Sequence, residues 1–112
     1  MNILFDQGTP VPLRKALSDH SVSTAYEMGW SDLGNGALLA VAERAFDLLL
    51  TTDKNLRYQQ NLSGKNIRVL VLPTTSWPII QQHIKEVAHV VATMRSGEYC
   101  EMRFHQTADG AG

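Results

Sequence analysis

Leu48-Leu49-Leu50-Thr51-Thr52-Asp53, followed at once by Lys54-Asn55, is an apolar run that passes through two hydroxyls into a carboxylate. A short apolar run ending in polar residues reads as a buried strand whose last residue emerges at the edge of a sheet. The first residues repeat the arrangement, with Asn2-Ile3-Leu4-Phe5 running into Asp6 and then Gln7-Gly8-Thr9-Pro10. Two strands that each deliver an Asp at the carboxyl end are the raw material of an acidic, metal-binding pocket.

Between these two strands, Thr9-Pro10 reads as a helix start, with Thr9 as the capping hydroxyl and Pro10 in the first turn, where a missing N–H costs nothing. Leu13, Ala16 and Leu17 supply a short apolar stripe that ends near Asp19. Residues 21–26 alternate small polar and apolar side chains and predict a second strand, and 28–34 form a loop. Asn35 caps a helix in which Leu38, Leu39, Ala42 and Phe46 recur near the helical period, and that helix leads into the strand over 48–52.

Beyond Asp53, residues 55–62 are polar and helix-compatible, and Ser63-Gly64-Lys65-Asn66 is a turn by composition. The Val-rich run over 67–72, closed by Pro73, predicts a fourth buried strand. Ser76 caps the next helix, with Pro78 in its first turn. Ile80, Ile84, Val87 and Val91, with His83, Val90 and Met94 alongside, give that helix a broad apolar face. Ser96-Gly97 ends it, and 98–105 alternates as a fifth strand with one wet face, at a sheet edge.

Strands alternating with helices predict an α/β fold, a three-layer α/β/α sandwich with a mainly parallel sheet of about five strands. In such a sheet the first and third strands are commonly neighbours, and ligands bind beyond their carboxyl ends where the connections depart to opposite faces. This brings Asp6 and Asp53 together. One domain over 1–105 and a disordered tail over 106–112 are expected.

With 112 residues the chain can bury one ordinary core. Hydrophobic residues at 44% and charged residues at 19% exclude overall disorder, and a net charge of −1 excludes the bulk basic signature of a nucleic-acid coat. No apolar run approaches the roughly 20 residues that span a bilayer, and the amino terminus has no basic segment ahead of an apolar stretch. With a lone cysteine, Cys100, these features predict a cytoplasmic protein with no membrane contact.

Two carboxylates held side by side repel each other, and a cation between them relieves the repulsion. Hard oxygen ligands favour Mg²⁺ or Mn²⁺. The competing reading is that both Asp residues cap turns. The four His residues, His20, His83, His89 and His105, lack zinc-site spacing, and His83 falls on the apolar side of its helix. There is no glycine-rich phosphate loop.

Ile3-Leu4-Phe5-Asp6, Gly29-Trp30-Ser31, Asn35-Gly36-Ala37-Leu38-Leu39, Ala42-Glu43 and the run from Phe46 to Leu56 stand in an order that resembles the bacterial single-domain PIN-like family. Tyr58-Gln59-Gln60-Asn61-Leu62 resembles one branch of it. The resemblance implies a small α/β nuclease that binds Mg²⁺ or Mn²⁺ and cuts RNA phosphodiesters, of a kind often found as a toxin paired with a small antitoxin protein. It implies Asp6 and Asp53 as metal ligands and catalytic residues.

The branch often carries Glu where this chain has Ala37, so one expected ligand is missing. Asp32, in the preceding loop, is a candidate replacement ligand, ahead of Glu27 and Glu43. Thr52 is expected as a hydrogen-bonding support for the ligands. Lys54 and Arg57 are expected to hold the phosphate backbone, and Trp30 to close the core or meet a partner in preference to stacking on a base. The alternative function is a catalytically degenerate PIN-like domain that binds RNA or protein. The breadth of the apolar stripe between Ile80 and Met94 predicts a homodimer or partner contact.

Overall fold

The computed structural model describes residues 1–56, 62 and 64–104. Along the chain these form β1 (Asn2–Phe5), a 3₁₀ helix (Val11–Leu17), β2 (Ser21–Thr24), α1 (Asn35–Ala45), β3 (Leu48–Thr51), β4 (Arg68–Val71), α2 (Trp77–Gln81), α3 (Ile84–Thr93) and β5 (Tyr99–Glu101). The strands make a five-stranded sheet in the order β2-β1-β3-β4-β5, and every neighbouring pair is parallel. The α/β sandwich read from the sequence is the observed fold, and β5 lies at the sheet edge as expected.

Strand alternation divides the core in two. Ile3 and Phe5, Leu48 and Leu50, and Leu70 face the side covered by the 3₁₀ helix, α2 and α3 through Leu13, Leu17, Ile80, Val87 and Val91. Leu4, Leu49, Val69 and Val71 face the side covered by α1 through Leu38, Leu39 and Ala42. Both faces of β3 are dry, which is why its sequence is a continuous apolar run. Burying each of these leucines stabilises the fold by roughly 1.5–3 kcal/mol.

Several local readings are corrected. The segment after Pro10 is 3₁₀ rather than α, with Leu13 N–H donating to Pro10 O at 3.2 Å. Pro10 and Pro12 remove two N–H donors from its first turn, and seven residues are too few to stabilise an α-helix unaided. Gly34, not Asn35, caps α1, and Ser76 sits at the cap of α2 without a side-chain bond to it.

The helix read as continuous from Ser76 to Met94 is broken at Gln82-His83. There, Gln82 N–H donates to Ile79 O and His83 N–H to Ile80 O, tightening the turn. The His83 ring stacks on Phe104, with centroids 4.3 Å apart, and its Nδ1 lies 2.9 Å from Glu86 Oε1. This tertiary contact sets the break where the sequence has neither Gly nor Pro. Ile80, Val87, Val91 and Met94 are nevertheless buried, while Ile84 and Val90 are partly buried.

No helix among the described residues is long and apolar enough to cross a membrane. Arg57, the segment 58–61, His105 and the tail over 106–112 lie outside the described residues.

Candidate acidic site at the strand ends

β1 and β3 are paired in register, Ile3 with Leu48 and Phe5 with Leu50, and Asp6 N–H extends the pairing by donating to Leu50 O at 3.1 Å. Asp6 therefore emerges level with Thr51, and Asp53 follows two residues later on the neighbouring strand. The connection from β1 leads to β2 on one flank and β3 enters on the other, so the two carboxylates sit at the topological switch point of the sheet.

The group between them is the hydroxyl of Thr51, a side chain only 2% exposed. It donates to Asp6 Oδ2 and accepts the Asp53 backbone N–H at 3.1 Å, so one buried oxygen ties the two acids together. Asp6 Oδ1 accepts from Gly8 N–H at 3.2 Å and from the Thr9 hydroxyl at 2.9 Å. Thr9 Oγ1 also lies 3.0 Å from Leu50 O, so its single proton has two acceptors within reach. Asp53 Oδ1 accepts from Asn55 N–H at 2.9 Å, and Oδ2 from the Asn35 amide at 2.5 Å.

Both acids thus do cap the turns that follow their strands, and the turn-cap and paired-site readings hold together. Burial pushes the Asp6 carboxyl above the usual carboxylate range, against the lowering effect of Thr51, Thr9 and Gly8; the charge of Asp53 adds to the rise. The two acids are therefore near enough to repel. Among the described residues neither carboxylate is paired with a Lys or Arg.

Other expected residues are placed around or away from this pair. Thr52 is half-buried beside Gly8, where a Cβ on Gly8 would collide with its hydroxyl, but the oxygen linking the acids belongs to Thr51. Lys54 is exposed just past Asp53 and borders a cleft of about 210 Å³ with Pro73, Glu101 and Arg103. Asp32 is exposed in the turn between Trp30 and Leu33. Among the described residues no three His, Cys, Asp or Glu side chains gather into a set that could hold a metal ion.

Ala37 is exposed in the first turn of α1, and the helix start reaches the site through Asn35 instead. Glu27 is held by Arg14 and by the Thr24 N–H, and Glu43 faces Lys65. Asp47 accepts Asn2 N–H at the opposite end of the sheet. Trp30 packs edge-on against Phe46, with centroids 6.0 Å apart, and closes the core as expected.

Thr51, Thr9 and Asn35 are the groups that the sequence reading did not assign to the site. Register was the available signal for Thr51, since pairing Phe5 with Leu50 sets Asp6 level with it. Comparison of the chain with known protein families, with curated proteins and with solved structures found no match.

Proposed function

We propose that this protein is a Mg²⁺- or Mn²⁺-dependent ribonuclease of the PIN-like kind, acting in the cytoplasm and hydrolysing RNA phosphodiesters at Asp6 and Asp53. The observation that supports it is the convergence of two carboxylates at the switch point of a parallel sheet, with the buried Thr51 hydroxyl between them and no cationic side chain paired to either among the described residues.

The donor set fits the ion. Mg²⁺ is commonly held through one or two carboxylates, with water and substrate phosphate oxygens filling the remaining positions. Two acids that repel each other gain from a cation of that charge. When bound, the ion supplies positive charge against a phosphate oxygen and makes water a stronger nucleophile at neutral pH.

The chain's own residues hold and orient. Thr51 ties the Asp6 carboxylate to the Asp53 backbone N–H, Asn35 and the Asn55 N–H set the plane of the Asp53 carboxylate, and Thr9 can turn its proton to Leu50 O when Asp6 takes on a ligand. Lys54, exposed beside Asp53, supplies a positive charge for the RNA backbone. The family resemblance adds a toxin-type role with a small antitoxin protein as partner.

A second reading is a binding module for RNA or protein that no longer cuts. It is favoured by Ala37 and by the lack of a third clustered acid among the described residues. Incubating purified protein with single-stranded RNA and Mn²⁺ separates the two. Cleavage is expected from the wild type and not from Asp6→Asn. Cleavage that survives the substitution, or none across several RNAs and metals, overturns the catalytic reading.

A further inference from the structure

A cavity of about 590 Å³ opens beside Asp6 on the β2 side of the site. That volume is within the range of small-molecule sites and large enough for a nucleoside. Its walls include Val11, Arg14, Ala25, Tyr26 and Glu27. Tyr26 is 81% exposed, and among the described residues its ring meets no other aromatic ring and its hydroxyl makes no hydrogen bond. A flat aromatic left in water beside an acidic site is a platform with a free face.

The polar groups of the cavity are set for the edge of a planar ligand. Arg14 Nη2 and the Thr24 N–H both bond the same oxygen of Glu27, Oε1, at 2.5 and 2.9 Å, and among the described residues Oε2 accepts no hydrogen bond. Arg14 Nε is buried and has no partner among the described residues, while the side chain as a whole is 36% exposed, so its terminal nitrogens are the donors that face the cavity. A free carboxylate oxygen next to these N–H donors suits a ring bearing both an amino group and a carbonyl or ring-nitrogen acceptor. The carboxylate of Glu27 disfavours a phosphate inside the cavity itself.

We infer that this cavity is a nucleobase subsite, in which one base of a single-stranded RNA stacks on Tyr26 and presents its edge to Glu27 and Arg14 while the adjoining phosphate lies at Asp6. The inference rests on the ribonuclease reading and extends it. Lys54 and Arg103 border the cleft on the β4–β5 side, so the RNA would cross the carboxyl edge of the sheet with its base on one flank of the acids and its backbone charge met on the other. Duplex RNA, whose bases are stacked and paired, has no base to offer the cavity.

The test uses a short labelled single-stranded RNA. Affinity is read by fluorescence anisotropy in EDTA, and KM and kcat for cleavage are read in Mn²⁺, for wild type, Tyr26→Ala and Tyr26→Phe. Loss of one base–aromatic stack predicts binding about 5- to 150-fold weaker for Tyr26→Ala and near wild type for Tyr26→Phe. KM should rise accordingly, and urea midpoints should not move because the side chain is exposed. Duplex RNA should not distinguish the variants. Wild-type affinity and KM in Tyr26→Ala would overturn the subsite and leave the ribonuclease reading intact. RNA neither bound nor cleaved by the wild type would overturn both.

Discussion

Replacing Thr51 by valine keeps the branched shape and removes one oxygen, the one on which both acids depend. The hydrogen bond from Thr51 to Asp6 Oδ2 is made to a carboxylate, which places its contribution at about 1.5–3 kcal/mol. The same substitution leaves the Asp53 N–H without its acceptor, at a cost of about 1 kcal/mol for a group only partly shielded from water. The added methyl recovers some apolar burial, so the net loss should be about 2–3 kcal/mol.

For a chain of this size each kcal/mol moves Tm by about 4 °C, giving a fall of roughly 8–12 °C. In urea the midpoint should drop by roughly 1–2 M with the slope unchanged, since the surface exposed on unfolding is the same. Thr52→Val is the control and should cost within about 0.5 kcal/mol. A loss below about 0.5 kcal/mol for Thr51→Val, or an equal loss for both variants, would refute the assignment of Thr51 as the group joining the acids.

A Cβ at Gly8 would collide with the Thr52 hydroxyl, so Gly8→Ala should destabilise by about 1–3 kcal/mol. Adding Thr52→Ala should recover most of that loss, and purely additive losses in the urea double-mutant cycle would show that the clash is not the cause. The pH dependence has a definite sign. Because burial raises the Asp6 carboxyl, the folded chain holds that proton more tightly than the unfolded one. The stability this supplies is full below about pH 4 and is lost as pH rises through the raised value. Urea stability of the wild type relative to Asp6→Asn should therefore fall between acidic and neutral pH; a rise would contradict burial as the cause. Glu27, lowered chiefly by Arg14, predicts the reverse for Glu27→Gln, with the wild type gaining on it as pH rises.

The legible parts of this chain were those fixed by periodicity and by the rules of parallel sheets. Leu48-Leu49-Leu50 reads as a strand dry on both faces, and the doubly wound order put Asp6 and Asp53 on neighbouring strands although they lie 47 positions apart in sequence. What escaped depended on register and tertiary contact. Thr51 and Thr52 are alike as letters, and only the pairing of Phe5 with Leu50 decides which hydroxyl meets Asp6. Thr9 looks like a helix cap by composition but is buried, with its proton aimed at Asp6 and Leu50 instead. Asn35 also has a capping composition, yet Gly34 takes the cap and the Asn35 amide donates to Asp53. The break at His83 is set by stacking on Phe104, a residue 21 positions away.

The central claim, that Asp6 and Asp53 form a cation site and not merely two turn caps, is tested most directly by titrating the purified chain with Mn²⁺ in a calorimeter. Saturable binding of a single ion per chain is predicted at neutral pH, weakened at least tenfold by Asp6→Asn or Asp53→Asn and unaffected by Asp32→Asn, with tenfold corresponding to about 1.4 kcal/mol. Absence of saturable binding, or binding that survives loss of either carboxylate, would contradict it.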